Sequence, residues 1–231
     1  MSYSTPHDAR EYLKAACLSV CHDYVLRCQR RKDRDKVELI AATREIDLCA
    51  RLASFFGPVA HLAAQGTSDI DLQIDAPTIR AEVKFFKSPA RAWNNYREDW
   101  DWLLAANSGG NEFSKRAWIL FLPSIDLRTF ASCVSVSKSH GSAFSLNDFA
   151  PFSPFVEAIP TATGSSQRLA YKAISSVNRE SIIKMPGGKR VRVELVGSQN
   201  HPIWAVIYTR VVGKPSVGSL PEHKVTTLAI P

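Results

Sequence analysis

The sequence predicts an α/β protein with a mixed central sheet, flanking helices and a C-terminal β-rich extension. Apolar residues recur at helical spacing as far as Phe55 and then alternate with polar residues over 70–86. The run from Ala117 to Leu122 is apolar throughout. An alternating strand buries one face, whereas a continuously apolar strand is buried on both, as in the middle of a sheet.

Two helices are predicted at the start of the chain. Thr5-Pro6 is typical of a helix start, and the basic cluster 30–36 interrupts the helix that follows. A second helix is predicted over 37–55, because Gly57-Pro58 comes shortly after it and ends it.

Two strands and a third helix are predicted next. Strands within 69–74 and 79–86 flank a turn at 75–77, and the short connection predicts a hairpin. Tryptophan, tyrosine and leucine residues at helical spacing predict a helix over 91–106, and 117–122 is the strand that follows it.

The remainder predicts loops and a second hairpin. Residues 123–165 are rich in Ser, Pro and Phe, which predicts mostly loop with short secondary-structure elements. Strands over 190–195 and 203–212 are predicted to pair around a turn at 197–200. The predicted parts are an N-terminal helix packed on the core (1–36), the core itself (37–155) and a basic β-hairpin extension with a tail (156–231).

Composition excludes several classes of protein. The 231 residues are 45% hydrophobic, which suffices for a core, and no stretch approaches the roughly 20 apolar residues of a membrane helix. Five cysteines without a CxxC pair argue against a secreted disulfide scaffold and a zinc ribbon. The first residues lack the features of a signal peptide, so we expect a cytoplasmic protein.

Charge is unevenly distributed along the chain. The formal net charge is +7, yet residues 37–100 carry 7 basic and 9 acidic side chains, whereas residues 156–231 carry 10 basic and 4 acidic ones. A basic region attracts polyanions, but a modest positive charge is common among soluble proteins. The total therefore indicates no particular partner by itself.

One group of charged residues carries the strongest chemical signal. Asp69 and Asp71 alternate with apolar residues on the first predicted hairpin strand, and Glu82 and Lys84 do so on the second. Alternation places each pair on one face of its strand, so pairing would bring the four charged groups together. Carboxylate oxygens gathered in this way suit Mg²⁺ or Mn²⁺.

This arrangement resembles the PD-(D/E)xK nuclease superfamily, whose fold is called restriction-endonuclease-like. Asp69 matches the aspartate of the motif, with Ser68 where proline often stands, and Glu82-Val83-Lys84 matches (D/E)xK. The family order of helix, three strands, helix and strand is also similar to residues 37–123. A glutamate on the first helix often completes such sites, and Glu45 is preferred here over Glu38.

The resemblance implies metal-dependent hydrolysis of a phosphodiester, most readily in DNA. Asp69, Glu82 and the backbone carbonyl of Val83 would bind Mg²⁺, with Mn²⁺ as a substitute, and Lys84 would position the attacking water. Glu45 would hold a second ion or a water. Asp71 is an alternative ligand if the strand register differs.

Basic residues near such a centre would contact the nucleic acid. The candidates are Lys87, Arg91, Arg190, Arg192 and Arg210, and the last three are expected to share one exposed face, although a solvated sheet edge explains that face equally well. Restriction or phage defence, repair and an antibacterial toxin are all compatible settings. A homodimer and an immunity or complex partner stay open.

Two alternatives stay open beside the nuclease. The same scaffold would also serve a non-catalytic nucleic-acid-binding or protein-interaction module. If the motif is accidental, its Asp, Glu and Lys form ordinary surface ion pairs, and the aromatic, proline-rich segment 144–160 becomes the candidate for binding another protein.

Overall fold

The first described elements of the fold are three α-helices, a 3-10 turn and a short strand. They are α1 (Pro6–Cys28), α2 (Asp33–Ala42), α3 (Glu45–Phe56), a 3-10 turn (Gly57–Val59) and β1 (Ala60–Leu62). The computed structural model describes residues 6–62, 71–75, 78–85, 98–99, 101–105, 113–123, 136–137, 156–160, 168–173, 180–184, 189–197, 201–211 and 222–224.

The single helix predicted over 37–55 is wrong, because α2 and α3 are separate. The backbone is extended at Thr43 and Arg44, between the two helices. Thr43 Oγ1 donates to the carbonyl of Leu39 (3.1 Å) and shares a hydrogen bond with Tyr24 Oη of α1 (2.9 Å). A buried hydroxyl with two partners fixes the break where the apolar period gave no sign of one.

The start of α3 is fixed by its own side chains. The backbone N–H of Arg44 donates to Asp47 Oδ2 (3.0 Å), which satisfies a donor that the helix leaves free. Glu45 is therefore the first residue of α3 and lies at its N-terminal end.

Within the described ranges, ten further strands follow β1. They are β2 (Leu72–Asp75), β3 (Thr78–Phe85), β4 (Phe113–Pro123), β5 (Val136–Ser137), β6 (Val156–Pro160), β7 (Arg168–Ala173), β8 (Glu180–Lys184), β9 (Arg190–Val196), β10 (Ile203–Val211) and β11 (Glu222–Lys224). Together with β1, seven of them form an eight-stranded sheet in the order β1-β2-β3-β4-β10-β9-β8-β11, and β5-β7-β6 form a second sheet. In the larger sheet β3 runs parallel to β4 and β8 parallel to β11, while the other neighbours are antiparallel. The protein is thus mixed α/β with a mixed sheet.

Both predicted hairpins are present. β2 pairs with β3, and β9 pairs with β10. Because β10 also pairs with β4, the second hairpin continues the central sheet. At its turn Gly197 has a φ of 90°, and a Cβ there would lie 3.2 Å from Trp204 Cβ, so glycine suits this position.

A helical segment lies between the parallel strands β3 and β4. Residues 98–99 and 101–104 are helical, within the helix predicted over 91–106. We call residues 98–99 and 101–105 the Asp99 segment. Its Leu103 and Leu104 are buried, and it is joined to the sheet by arginines of β4 and β10.

The main core lies between the helices and one face of the sheet. Alternate residues of the central strands, including Val83, Ile119 and Ile207, are neighbours across β3, β4 and β10 and form one buried cluster with α1 and α3. Residues 117–122 are buried on both faces of β4, which confirms the interpretation of their apolar run. No helix in the described ranges is long and apolar enough to cross a membrane.

Candidate active site

The register of β2 and β3 places Asp71 beside Glu82. Leu72 pairs with Ala81, so the residue before Leu72 and the residue after Ala81 are the next neighbours along the hairpin. Asp71 Oδ2 accepts a hydrogen bond from the backbone N–H of Val83 (2.8 Å), which fixes this carboxylate just before the start of β2.

Lys84 lies at the centre of the acidic group. Its Nζ is 3.3 Å from Glu82 Oε2, 3.4 Å from Asp71 Oδ2 and 3.6 Å from Asp99 Oδ2. The three carboxylates come from β3, from the residue before β2 and from the Asp99 segment. One ammonium group therefore faces three negative groups.

Glu45 reaches the same strand from α3. Its Oε1 accepts a hydrogen bond from the backbone N–H of Phe85 (3.2 Å), and its charge acts on both Lys84 and Asp99. The break between α2 and α3 makes this contact possible, because it places Glu45 at the end of α3 that faces β3. We call Glu45, Asp71, Glu82, Lys84 and Asp99 the acidic cluster.

Burial makes the electrostatics of the acidic cluster unusual. Glu82 is only 4% exposed, and its Oε1 is buried with no hydrogen-bond partner. Burial, and then the negative charge of Asp71, raises the pKa of Glu82 to about 8, and burial raises that of Asp99 to about 6. Burial opposes the charged form of Lys84, but Asp71, Asp99 and Glu82 outweigh it and raise the pKa of Lys84. The cluster therefore holds four carboxyl groups and one lysine, and burial favours the neutral form of Glu82.

The residues present fit a small divalent cation. Within the described ranges, no three His, Cys, Asp or Glu side chains form a ready metal cage. Mg²⁺, however, is usually bound through one or two carboxylates and keeps several waters. Asp71 and Glu82 supply two hard oxygen donors at neighbouring positions, and the unpartnered Glu82 Oε1 is an acceptor that a cation would satisfy.

Several predicted site residues lie outside the described residues. These are Asp69, Lys87 and Arg91, whose assigned roles stay predictions. The structure does bring together Glu45, Glu82 and Lys84. It also places Val83 among them, with its side chain in the core and its N–H on Asp71, while the role of its carbonyl stays a prediction.

The prediction that Arg190, Arg192 and Arg210 share one face is wrong. Arg190 and Arg192 pair with Val211 and Thr209, whereas Arg210 pairs with Val191, so Arg210 belongs to the opposite face. The sequence showed alternation within each strand but did not give the register between them.

The two faces use these arginines differently. Arg192 forms an ion pair with Glu180 on the α1 side of the sheet. Arg210 lies on the same side as Glu82 and donates to the carbonyls of Leu104 (3.0 Å) and Ala105 (2.8 Å). Neither is a free cation waiting for a phosphate.

Sequence reasoning missed Asp99. It follows Glu98 within a predicted helix, and nothing in its spacing from Lys84 distinguishes it from Glu98 or Asp101. Only the docking of the Asp99 segment on the sheet shows which of these acids faces Lys84.

Scans against protein-family models and searches of curated proteins and of solved structures found no match to this chain.

Proposed function

We propose that this protein is a metal-dependent nuclease of the PD-(D/E)xK type that hydrolyses phosphodiester bonds, with DNA as the first candidate substrate. One observation carries the proposal: Asp71 adjoins Glu82 and Lys84 on neighbouring strands, and Glu82 keeps a buried oxygen without a partner. Burying such a carboxylate is costly unless a cation or donor satisfies it.

The order of elements around the acidic cluster supports the proposal. α3, the antiparallel strands β1, β2 and β3, the Asp99 segment and the parallel strand β4 follow one another along the chain. This is the order of helix, three strands, helix and strand expected of a restriction-endonuclease-like fold, which we propose for this part of the chain. A cytoplasmic location belongs to the same proposal.

Four residues of the acidic cluster take three roles in the proposed reaction. Asp71 and Glu82 would hold Mg²⁺, which supplies charge neutralisation at the phosphate and a more acidic bound water. Lys84, an ammonium held among carboxylates, would donate hydrogen bonds to the attacking water and to developing negative charge. Glu45 orients the backbone of β3 through Phe85 N–H and so fixes the direction of these side chains.

The test is cleavage of plasmid, single-stranded DNA and RNA in Mg²⁺, in Mn²⁺ and in EDTA. We expect cleavage in Mg²⁺ or Mn²⁺ and none in EDTA. Glu82→Gln, Lys84→Met and Asp71→Asn should each lower the rate at least about 100-fold, because each removes a charge that acts at the reacting phosphate. Asp69→Asn, measured beside Asp71→Asn, decides which aspartate carries the role, and we expect the larger loss at Asp71.

Matched controls separate chemistry from folding. Glu38→Gln and Lys189→Met change exposed side chains of the same types and should retain the wild-type rate. Thermal unfolding of every variant confirms that it is folded. Equal cleavage by wild type and by all three cluster variants would refute the site. Salt-sensitive nucleic-acid binding by a wild-type protein that never cleaves would instead support the non-catalytic alternative.

A further inference from the structure

Three arginines lie on the face of the sheet that carries Glu82 and Lys84. Arg80 belongs to β3, two residues before Glu82, and pairs with Arg116 of β4. Arg210 of β10 lies on this face as well. Burial, and then the positive charges of Arg80 and Arg210, lower the pKa of Arg116, so both neighbouring cations act on Arg116.

Two of these arginines are occupied by the Asp99 segment. Arg116 Nη1 donates to the carbonyl of Trp102 (2.6 Å), and its guanidinium lies 5.0 Å from the centre of the Trp102 ring. Arg210 donates to the last carbonyls of the same segment, which is where a helix is negatively polarised. Both side chains hold the segment in place.

Arg80 is different because its charge has no counterpart among the described residues. It is exposed, and no described carboxylate or carbonyl pairs with it. Its neighbour on β4 is the like-charged Arg116, and its neighbour on β2 is the exposed, uncharged Gln73. An arginine beside another cation, without an anion of its own, favours binding of a negatively charged ligand.

The position of Arg80 indicates which anion that is. Two residues along a strand correspond to about 7 Å, and both side chains project from the same face. A phosphodiester held at Asp71 and Glu82 would therefore place the next phosphate of a polynucleotide within reach of the long Arg80 side chain. A small phosphate ester has no second phosphate to offer.

We infer that Arg80 binds the sugar–phosphate backbone of a polynucleotide beside the phosphate at the acidic cluster. The location beside a reacting phosphate rests on the proposed function, whereas the contact with a polyanion does not. A guanidinium on a phosphate fixes position and carries no information about base sequence, so this contact is independent of sequence.

Equilibrium binding tests the inference without any cleavage. A short fluorescently labelled DNA duplex and a labelled single strand are titrated in EDTA over a range of salt concentrations. For Arg80→Gln we expect about tenfold weaker binding and a salt slope of log K smaller by about 1, the amount expected for one lost phosphate contact. Arg80→Lys should retain the slope, and Arg34→Gln, an exposed arginine on α2, should match wild type in both quantities.

The results separate this inference from the proposed function. An Arg80→Gln protein with the wild-type slope and affinity overturns the inference, even if the wild type cleaves DNA. A wild type that binds neither probe overturns it as well. A wild type that binds but never cleaves, together with a reduced slope in Arg80→Gln, refutes the hydrolytic function and supports the phosphate contact.

Discussion

At the scale of single residues, Asp99 belongs to the candidate site although the sequence motif does not include it. The motif names one aspartate, one glutamate and one lysine, yet Asp99 Oδ2 lies 3.6 Å from Lys84 Nζ and is buried. A carboxylate at that distance keeps the ammonium group in place when Asp71 and Glu82 are engaged elsewhere. In the proposed reaction Asp99 would thus be a positioning residue for Lys84.

Asp99→Asn should lower kcat about 10- to 100-fold and leave KM nearly unchanged, because it removes the charge that orients Lys84 without altering substrate contacts. Steady-state cleavage kinetics measure both constants. Asp101→Asn, an exposed acid in the same segment, is the matched control and should behave as wild type. A kcat for Asp99→Asn equal to that of wild type would contradict the role.

The residues that could be predicted are those whose relation is local. Glu82 and Lys84 are two residues apart on one strand, and alternation alone places them together. The hairpin then brings Asp71 to Glu82 across a short turn. Asp99 and Arg116 could not be predicted, because their contacts depend on how a helical segment docks on the sheet, which sequence spacing does not determine.

At the scale of elements, the break between α2 and α3 deserves a test because it places Glu45. Thr43 Oγ1 bonds both Tyr24 Oη and the carbonyl of Leu39, and both Tyr24 and Thr43 are buried. No glycine or proline marks the break in the sequence. A continuous apolar stripe therefore predicted one helix, and only the packing of α1 against Thr43 reveals two.

Thr43→Val should lower the free energy of unfolding by about 1–3 kcal/mol, because it leaves the buried Tyr24 hydroxyl without its partner. Tyr24→Phe should cost less, about 1 kcal/mol, since Thr43 keeps Leu39. Urea denaturation followed by circular dichroism measures both, and the double variant should be less destabilised than the sum of the single variants. Additive losses would mean that the two hydroxyls do not stabilise the protein jointly.

At the scale of the whole molecule, non-local pairing is what the sequence left undetermined. Each hairpin was predicted from a short turn, but the pairing of β4 with β10 joins segments about 90 residues apart. The parallel pair of β8 with β11 joins residues 40 positions apart, Ile182 and Glu222 for example, and β11 lies in a stretch predicted to be a tail. Hydrophobic patterns show that a strand is buried without showing which strand lies beside it.

The positions of the charged residues in the fold also differ from what their distribution along the sequence suggested. The acidic middle of the sequence does supply the acidic cluster. Part of the basic C-terminal third is used elsewhere, since Arg192 pairs with Glu180 on the α1 side of the sheet. The arginine that we propose contacts a phosphate, Arg80, comes from the acidic middle of the sequence.

The α1 side of the sheet holds a second buried carboxylate, which affects the stability of the whole fold. Glu194 lies 3.5 Å from Lys14 Nζ and 3.9 Å from Arg10 Nη1, with Glu180 and Arg192 next to it. Both of its carboxylate oxygens are buried without a hydrogen bond. Burial raises the pKa of Glu194 above its ordinary 4.5 despite the positive charge of Arg10.

Stability should therefore fall as pH rises through the interval that starts at 4.5 and ends at the higher folded-state pKa of Glu194. In that interval the folded protein binds more protons than the unfolded chain, so raising the pH favours unfolding. Glu194→Gln, which stays neutral, should remove this component. Urea denaturation of both proteins over a pH series measures it, and parallel curves would contradict the prediction.

Lys84 has a consequence for how the protein reaches its folded state. Carboxylates from residues 45, 71, 82 and 99 must approach one another during folding, and like charges brought out of water oppose that approach. Among the described residues, Lys84 is the cation in contact with three of them. The Lys84 ammonium group, which the proposed reaction uses, therefore also acts during folding. It is an internal counter-ion that lets these carboxyl groups come together without a bound metal ion. If the proposed function is correct, this protein would fold without Mg²⁺ and bind the ion afterwards.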